Sequence, residues 1–406
     1  MVAKLTRDGV MLFLARFIRL FSYGALSVVL VFYLTGLGFR ESQTGMLLSM
    51  TLLGDTVVSL WLTTRADRIG RRRMLCIGAF LMAGAGLTFA VTSNYIFLIL
   101  AGTIGVVSPS GNEVGPFLPI EQAALSEIVP AEYRTQVFAW YTLTGAVATA
   151  AGSLSAGLLV QALRKAALAP VASDRAVIVL YAAAGILLAI LFTRVSARAE
   201  AQRTHAPVPR FGIAESRGVV LRLSGLFALD AFGGGFVVQS FAAYWFYLRF
   251  GVQPATLGGI FFGANLFAGF SALVASRLAA RIGLVRTMVF THLPSNILLI
   301  LVPLMPNLTL ATAVLLLRFS ISQMDVPTRQ SYTMAIVRPE ERSAAAGVTG
   351  VARTTGAAIA PMLAGILFGR PAWINLPFFI AGGLKIVYDL LLYRAFVRVP
   401  PPEEAR

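Results

Sequence analysis

The side chains of this chain that can do chemistry are acids and bases set into stretches that are otherwise oily. They are Arg16, Arg19, Asp55, Glu113, Glu121, Asp230, Arg318, Asp325, Arg329, Arg353, Lys385 and Asp389. Each would cost about 2.5–3.5 kcal/mol at the centre of a helix facing lipid. Even half of them in that position would prevent insertion, so most must face one another or a water-filled cavity. No nucleophile stands beside a base among them, so the chemistry open to them is the binding of protons, ions or charged solutes rather than catalysis.

Their spacing sharpens this. Arg318, Asp325 and Arg329 follow one another at intervals of seven and four, on one face of a helix, and Asp325 and Arg329 can pair across one turn. The stripe lines a cavity, or it ties its helix to a neighbour. Asp230 precedes Gly233-Gly234-Gly235, a run that weakens a helix and lets it bend. An acid beside such a run suits a proton or cation site, with neutralisation of a nearby arginine as the rival reading. Asp55 follows Gly54 in mid-segment with no local partner, which points to Arg16 or Arg19. Arg353 stands isolated in its segment; its planar fork suits an anionic group of a solute, or Asp230 or Asp325. Lys385 and Asp389, four apart, read as a local pair.

The elements that hold these residues are membrane spans. Hydrophobic residues make up 57% of the 406 and charged residues 13%, against about 25% charged in a soluble domain. The predicted spans are 10–35, 44–64, 74–92, 95–124, 135–162, 176–195, 220–248, 256–280, 286–304, 308–335, 343–368 and 372–395. Several exceed the roughly 20 residues a bilayer requires, so tilted or broken helices are expected. The net charge of +16 sits in alternate loops, a membrane-insertion pattern and not a nucleic-acid patch. With the N-terminus inside, Arg40, Arg164, Lys165, Arg175, Arg249 and Arg370 fall outside and most other basic residues inside, so both termini are expected in the cytoplasm. No cleavable signal is read at the N-terminus. The single cysteine, Cys76, excludes an internal disulfide and a thiolate cluster. His205 and His292, far apart and read as flanking spans, argue against a histidine metal site.

The polar, proline-bearing stretch 196–217 reads as a linker, with room for a short surface helix, between spans in 1–195 and 218–406. The two parts echo each other. Pro119-Ile-Glu-Gln122 returns as Pro327-Thr-Arg-Gln330, Val129–Arg134 as Val337–Arg342, Gly157 as Gly365, and Arg68-Ile-Gly70 as Arg281-Ile-Gly283. Gly24 aligns with Gly235, which places Arg19 opposite Asp230. Glu121 falls opposite Arg329 with the sign reversed, and a bridge between the halves is one reading of that. Parallel repeats of this kind are a transporter architecture with the site near midplane. Small residues recur every four in Ala148, Gly152, Ala156 and in Gly356, Ala360, Ala364, permitting close helix approach and sliding between halves. Pro116, Pro119 and Pro361 supply bends, and Tyr244, Trp245 and Tyr247 read as an interfacial belt.

Between the second and third spans stands Arg65-Ala66-Asp67-Arg68-Ile69-Gly70-Arg71-Arg72-Arg73. With this loop, the spans and the linker, the chain resembles the major facilitator superfamily over essentially its whole length. The family's loop signature is usually written G-x-L-A-D-R-x-G-R-K; Thr63 and Arg65 stand at its first glycine and its leucine. The fifth span lacks the Gly-Pro antiporter motif, and the fourth lacks the usual basic residue. The resemblance implies an all-α membrane fold of twelve helices in two pseudo-symmetric six-helix bundles. It implies a gating role for Asp67, which engages a helix of the other half, with Arg68, Gly70, Arg71 and Arg72 around it; Glu121 and Arg134 join this gating set. Arg19, Asp55, Asp230, Asp325, Arg329 and Arg353 are the candidate substrate and ion sites.

The expected activity is secondary transport by alternating access, proton-coupled, of a small anionic or zwitterionic metabolite. Drug efflux is the alternative, and a transporter-like membrane sensor is an alternative of another class, though a sensor would be expected to carry an output domain. An intramembrane enzyme and direct ATP drive lack their motifs. No cofactor is expected. The partners are the solute, protons and the bilayer, with no nucleic acid, and the chain is expected to act as a monomer in the cell membrane.

Overall fold

The computed structural model describes residues 6–130, 133–196, 200, 215–338 and 341–399; the side chains of Asp67, Arg68, Thr135 and Ser343 are outside the description as well. Most of the linker 196–217, including any short helix in it, lies outside the described residues. Those described are helical, with no strand. Eleven helices are long and apolar enough to cross a membrane, and Tyr95–Ile104 is a shorter apolar one.

Each helix starts and stops for a local reason. Thr6 caps α1 (Arg7–Gly36), accepting from the Gly9 N–H at 3.2 Å. Asn94 caps α4 (Tyr95–Ile104), and Asn307 caps α12 (Leu308–Ser322). Each asparagine accepts N–H groups that the first helical turn leaves unpaired. Gly70, at φ +119°, joins α2 (Glu41–Ile69) to α3 (Arg71–Val91). Gly283, at φ +85°, joins α10 (Pro254–Ile282) to α11 (Leu284–Leu301). The repeated Arg-Ile-Gly thus ends on a backbone conformation that only glycine adopts without strain, in both halves.

Three spans are interrupted. The fourth is α4, an irregular stretch 105–116, and α5 (Phe117–Ile128), one of the broken helices that the length of 95–124 predicts. Glycines and prolines in that stretch neither favour nor complete a helical ladder. The seventh divides into α8 (Arg217–Gly235) and α9 (Gln239–Phe250) directly after the triple glycine, as its composition predicts. The tenth divides into α12 and α13 (Asp325–Ala335) at Gln323 and Met324. The sixth span starts earlier than expected: α7 (Pro170–Thr193) includes Asp174 because Arg164, near the end of α6 (Arg134–Lys165), binds it at 3.1 Å.

The chain forms two compact units. One gathers residues up to His205 together with Gln239–Gly263, the other Ala206–Val238 and Ala264–Arg406. The first therefore includes α9 and the start of α10, which a boundary at the linker places with the second half. Polar contacts hold α9 there: the Gln239 amide donates to Ser27 Oγ at 2.8 Å, Ser240 Oγ donates to the Pro109 carbonyl at 2.6 Å, and Tyr244 donates to Glu41 at 2.8 Å. Trp245 is fully buried and Tyr244 nearly so, which removes both from the expected belt; Tyr247 is 46% exposed.

Backbones approach closely where the small residues stand. A Cβ on Gly24 would lie 2.1 Å from the Thr149 carbonyl oxygen, and one on Gly152 1.9 Å from that of Phe21, so α1 and α6 touch backbone to backbone. In the second unit, a Cβ on Gly356 of α14 (Arg342–Phe368) would lie 2.4 Å from the Ala228 carbonyl of α8. These are the close helix approaches expected of the stripes. The core of the second unit packs Leu223, Phe227, Met288, Val289, Tyr332 and Tyr388 together, with α15 (Leu376–Phe396) supplying Tyr388, Leu392 and Phe396.

Candidate functional site

In the first unit α1 carries Arg16 and Arg19 one turn apart, facing the broken fourth span. Arg19 is fully buried and grips the equally buried Glu121 of α5 with both terminal nitrogens, at 2.6 and 2.7 Å. Its Nε donates to Glu113 at 2.8 Å, and the other Glu113 oxygen accepts from Arg16 at 2.8 Å. Tyr141 of α6 donates to Glu121, and its ring lies under the Arg16 guanidinium at 4.4 Å. The Arg19 guanidinium also covers the Phe117 ring at 4.6 Å. Two arginines and two glutamates thus neutralise each other out of water, the condition under which buried charge is tolerated. The break at 105–116 makes it possible, because Glu113 belongs to no helix and reaches between both arginines.

Asp55 stands apart from this network. Neither Arg16 nor Arg19 pairs with it, contrary to expectation, because both are taken by the glutamates. It accepts from Ser59 Oγ at 3.3 Å and from the Gly115 backbone N–H, and no Lys or Arg lies within ion-pair distance among the described residues. Gly54 beside it lets α2 pass against Thr103, whose carbonyl oxygen would be 1.8 Å from a Cβ there.

The second unit repeats the arrangement with the signs exchanged. Asp230 of α8 occupies the place of Arg19, and Arg329 of α13 that of Glu121; the two meet at 3.4 Å. Arg329 also holds Asp325, one turn away, at 2.8 Å, the i,i+4 pair its spacing predicts. Glu121 and Arg329 each find their counter-charge within their own unit. The closest partner of Asp230 is Lys385 of α15, at 2.6 Å. Lys385 and Asp389 therefore do not form the expected local pair: Lys385 turns to α8, and Asp389 accepts from Asn296 Nδ2 and lies against His292 Nδ1, each at 2.9 Å. His292 is buried within α11, not at a span end. Arg318 and Arg353 sit in the field of Asp230 and Asp325, yet no carboxylate lies within ion-pair distance of either among the described residues. The Nε of each is buried without an acceptor.

The loop between α2 and α3 is held by an acid from the start of the linker. The Glu200 carboxylate accepts from the backbone N–H groups of Arg71 and Arg72 at 2.6 and 3.1 Å, capping α3 where its dipole favours negative charge. Arg71 also lies 3.7 Å from Glu127, and the Arg72 guanidinium reaches the Val195 carbonyl at 3.5 Å. The expected contacts of Asp67 and Arg68 fall outside the described residues. Arg134 donates to the Val129 carbonyl at 3.2 Å, and its repeat counterpart Arg342 to that of Met334 at 2.9 Å, so each closes the end of the helix before it.

Six participants escape a reading by position: Glu113, Tyr141, Glu200, His292, Asn296 and Lys385. Glu113 and Lys385 carried a signal, being ionisable within spans, but their partners lie far along the chain. His292 lies a turn from Asn296 on α11, a polar spacing inside an apolar run that marks a buried polar face.

Comparison with known proteins follows this geometry. The family model described as Major Facilitator Superfamily matches residues 12–325 and 249–406. The uncharacterized membrane protein YJR124C of Saccharomyces cerevisiae is 30% identical over 428 residues, covering 97% of this chain and 95% of that protein. The quinolone resistance protein NorA of Staphylococcus aureus is 28% identical over 124 residues, about a third of either chain. Among solved structures, a bacterial homologue of the human lysosomal transporter Spinster aligns over 97% of each chain at 16% identity with a TM-score of 0.75. The nucleoside transporter NupG aligns over 96% of this chain and 99% of its own at 13% identity, with a TM-score of 0.74. Repeated units, broken spans, the glycine of the loop signature and the family match agree: this chain is a multi-pass membrane transporter of the Major Facilitator Superfamily.

Proposed function

We propose that the chain is a proton-coupled secondary transporter that moves a small anionic or zwitterionic metabolite across the cell membrane by alternating access. In this reading the substrate and ion groups are Arg19, Asp55, Asp230, Asp325, Arg329 and Arg353, and the loop of Asp67, Arg68, Gly70, Arg71 and Arg72, with Glu121 and Arg134, serves gating. Both termini face the cytoplasm, and one chain suffices. The observation that carries the choice of cargo is the pair Arg318 and Arg353, half-buried cations within spans whose buried Nε atoms lack an acceptor. Buried charge demands a counter-charge, and a carboxylate or phosphate on the solute supplies it. Asp55, without a cation beside it, and Asp230, held by three neighbours, supply groups whose protonation alters local charge balance.

A thermal-shift screen of the purified protein against metabolite and drug panels identifies the solute class, since a ligand that binds the folded state raises its melting temperature. Uptake into proteoliposomes then tests coupling: accumulation of the stabilising solute collapses when a protonophore dissipates the gradient. Arg353→Gln abolishes the stabilisation by an anionic solute. Retained stabilisation removes Arg353 from the site.

Drug efflux is the second reading, favoured by the partial match to NorA. It predicts that expression in a susceptible host raises drug tolerance and that Arg353→Gln leaves that tolerance intact.

A further inference from the structure

Asp389 is fully buried on α15, and its charge has no lysine or arginine within ion-pair distance among the described residues. Both carboxylate oxygens are engaged from α11, Oδ1 by His292 Nδ1 and Oδ2 by Asn296 Nδ2, each at 2.9 Å. Asn296 also lies 3.1 Å from His292 Nδ1. The imidazole is wedged edge-on against Tyr388, with ring centroids 5.8 Å apart. Its other nitrogen, Nε2, lies 3.7 Å from Asp230 Oδ1, the same oxygen that Lys385 holds at 2.6 Å.

A buried carboxylate needs a cation, and the group in reach of Asp389 that can become one is His292. We infer that His292 and Asp389, oriented by Asn296, form a buried proton site whose occupancy is felt by Asp230. One proton taken from water adds to the imidazole, giving an imidazolium that donates from Nδ1 to Asp389 and presents Nε2–H to Asp230. Release returns the proton to water and the ring to its neutral form. Charges on every surrounding helix bear on this site: Asp230 on α8, Arg318 on α12, Asp325 and Arg329 on α13, Arg353 on α14, and Lys385 with Tyr388 on α15. Asp230 already divides its oxygens between Lys385 and Arg329. An imidazolium at Nε2 competes with Lys385 for the same oxygen, so protonation loosens the contact of α15 with α8 just before the glycine run that ends α8. The inference deepens the proton-coupled reading and rests on it for its role in transport.

Histidine occurs twice in the chain, and His205 lies outside the described residues, so His205→Gln leaves one imidazole to observe. The protein carrying that change, labelled with ¹⁵N-histidine in lipid nanodiscs, is titrated with acid while the ring nitrogens are followed by NMR. The ring is expected to pass from the neutral to the doubly protonated pattern as acid is added. At matched pH, Asp389→Asn lowers the ratio of charged to neutral ring at least about tenfold, and Asp230→Asn lowers it by a smaller factor. A ring that stays neutral throughout overturns the proposal, and so does one that titrates identically with Asp389→Asn. Should Asp389→Asn fail to fold, the titration of the otherwise intact chain and of Asp230→Asn still decides. Transport indifferent to a proton gradient, with His292 titrating as described, overturns the proton-coupled reading and leaves the proton site standing.

Discussion

Two fully buried side chains, Arg19 and Glu121, show how charge survives at this depth: two hydrogen bonds join them, and Glu113 and Tyr141 complete their shells. Removing one partner of such a pair leaves an uncompensated charge, at a cost of about 3–5 kcal/mol. Glu121→Gln is therefore expected to destabilise more than Glu113→Gln, because the Glu113 side chain keeps 16% of its surface exposed. Melting temperatures in detergent give the order, and equal losses contradict this account. Asp230 and Lys385 supply the matching test in the second unit. Asp230→Asn and Lys385→Met each lower stability, and the double variant loses less than their sum by about 0.5–3 kcal/mol, as groups in contact do. Additive losses would mean that the 2.6 Å contact carries no weight. The types and depths of these residues were legible in the chain; their partners were not. Lys385 and Asp389 show why: four-residue spacing makes a pair possible, but burial offers each a better partner on another helix.

At the scale of elements, packing inside each unit depends on glycines that let backbones touch. Gly152→Ala and Gly356→Ala force a methyl to within 1.9 and 2.4 Å of a carbonyl oxygen, and overpacking of that kind costs about 1–3 kcal/mol. Gly84→Ala and Gly383→Ala, in α3 and α15, meet nothing within 4 Å and should be neutral or stabilising by up to about 1 kcal/mol. Thermal unfolding of the four variants separates the pairs; a uniform response would refute the close-packing argument. The N-terminus of α3 is a further test. Glu200→Gln weakens the cap on Arg71 and Arg72 by about 1 kcal/mol, seen as faster amide exchange in the first turn of α3. The glycine run predicted the bend after α8, because local backbone chemistry decides it. A break in the fourth span was legible in its length and in Pro116 and Pro119, but its place was not: that Glu113 stands in the irregular stretch to serve both Arg16 and Arg19 depends on α1, which the fourth span's own sequence does not contain.

For the whole molecule, orientation is the prediction that charge alone makes. With basic residues concentrated in the loops placed inside, a fluorescent protein fused at either terminus should fold and fluoresce, while alkaline phosphatase fused there should stay inactive. The reverse result would invert the topology. Membrane class, duplication, family and helical fold were all determined by the sequence, because hydrophobic length, loop charge and turn glycines act locally and the bilayer imposes one period on every span. Apart from the Asp325–Arg329 pair within α13, tertiary structure decided which charge meets which. It took α9 into the first unit, exchanged the signs of the Arg19–Glu121 pair for those of Asp230–Arg329, and set His292 against Asp389. The charge pairs among them join residues about a hundred positions apart, where Coulomb attraction in a low dielectric selects partners by distance in space, a quantity that spacing along a single helix does not contain.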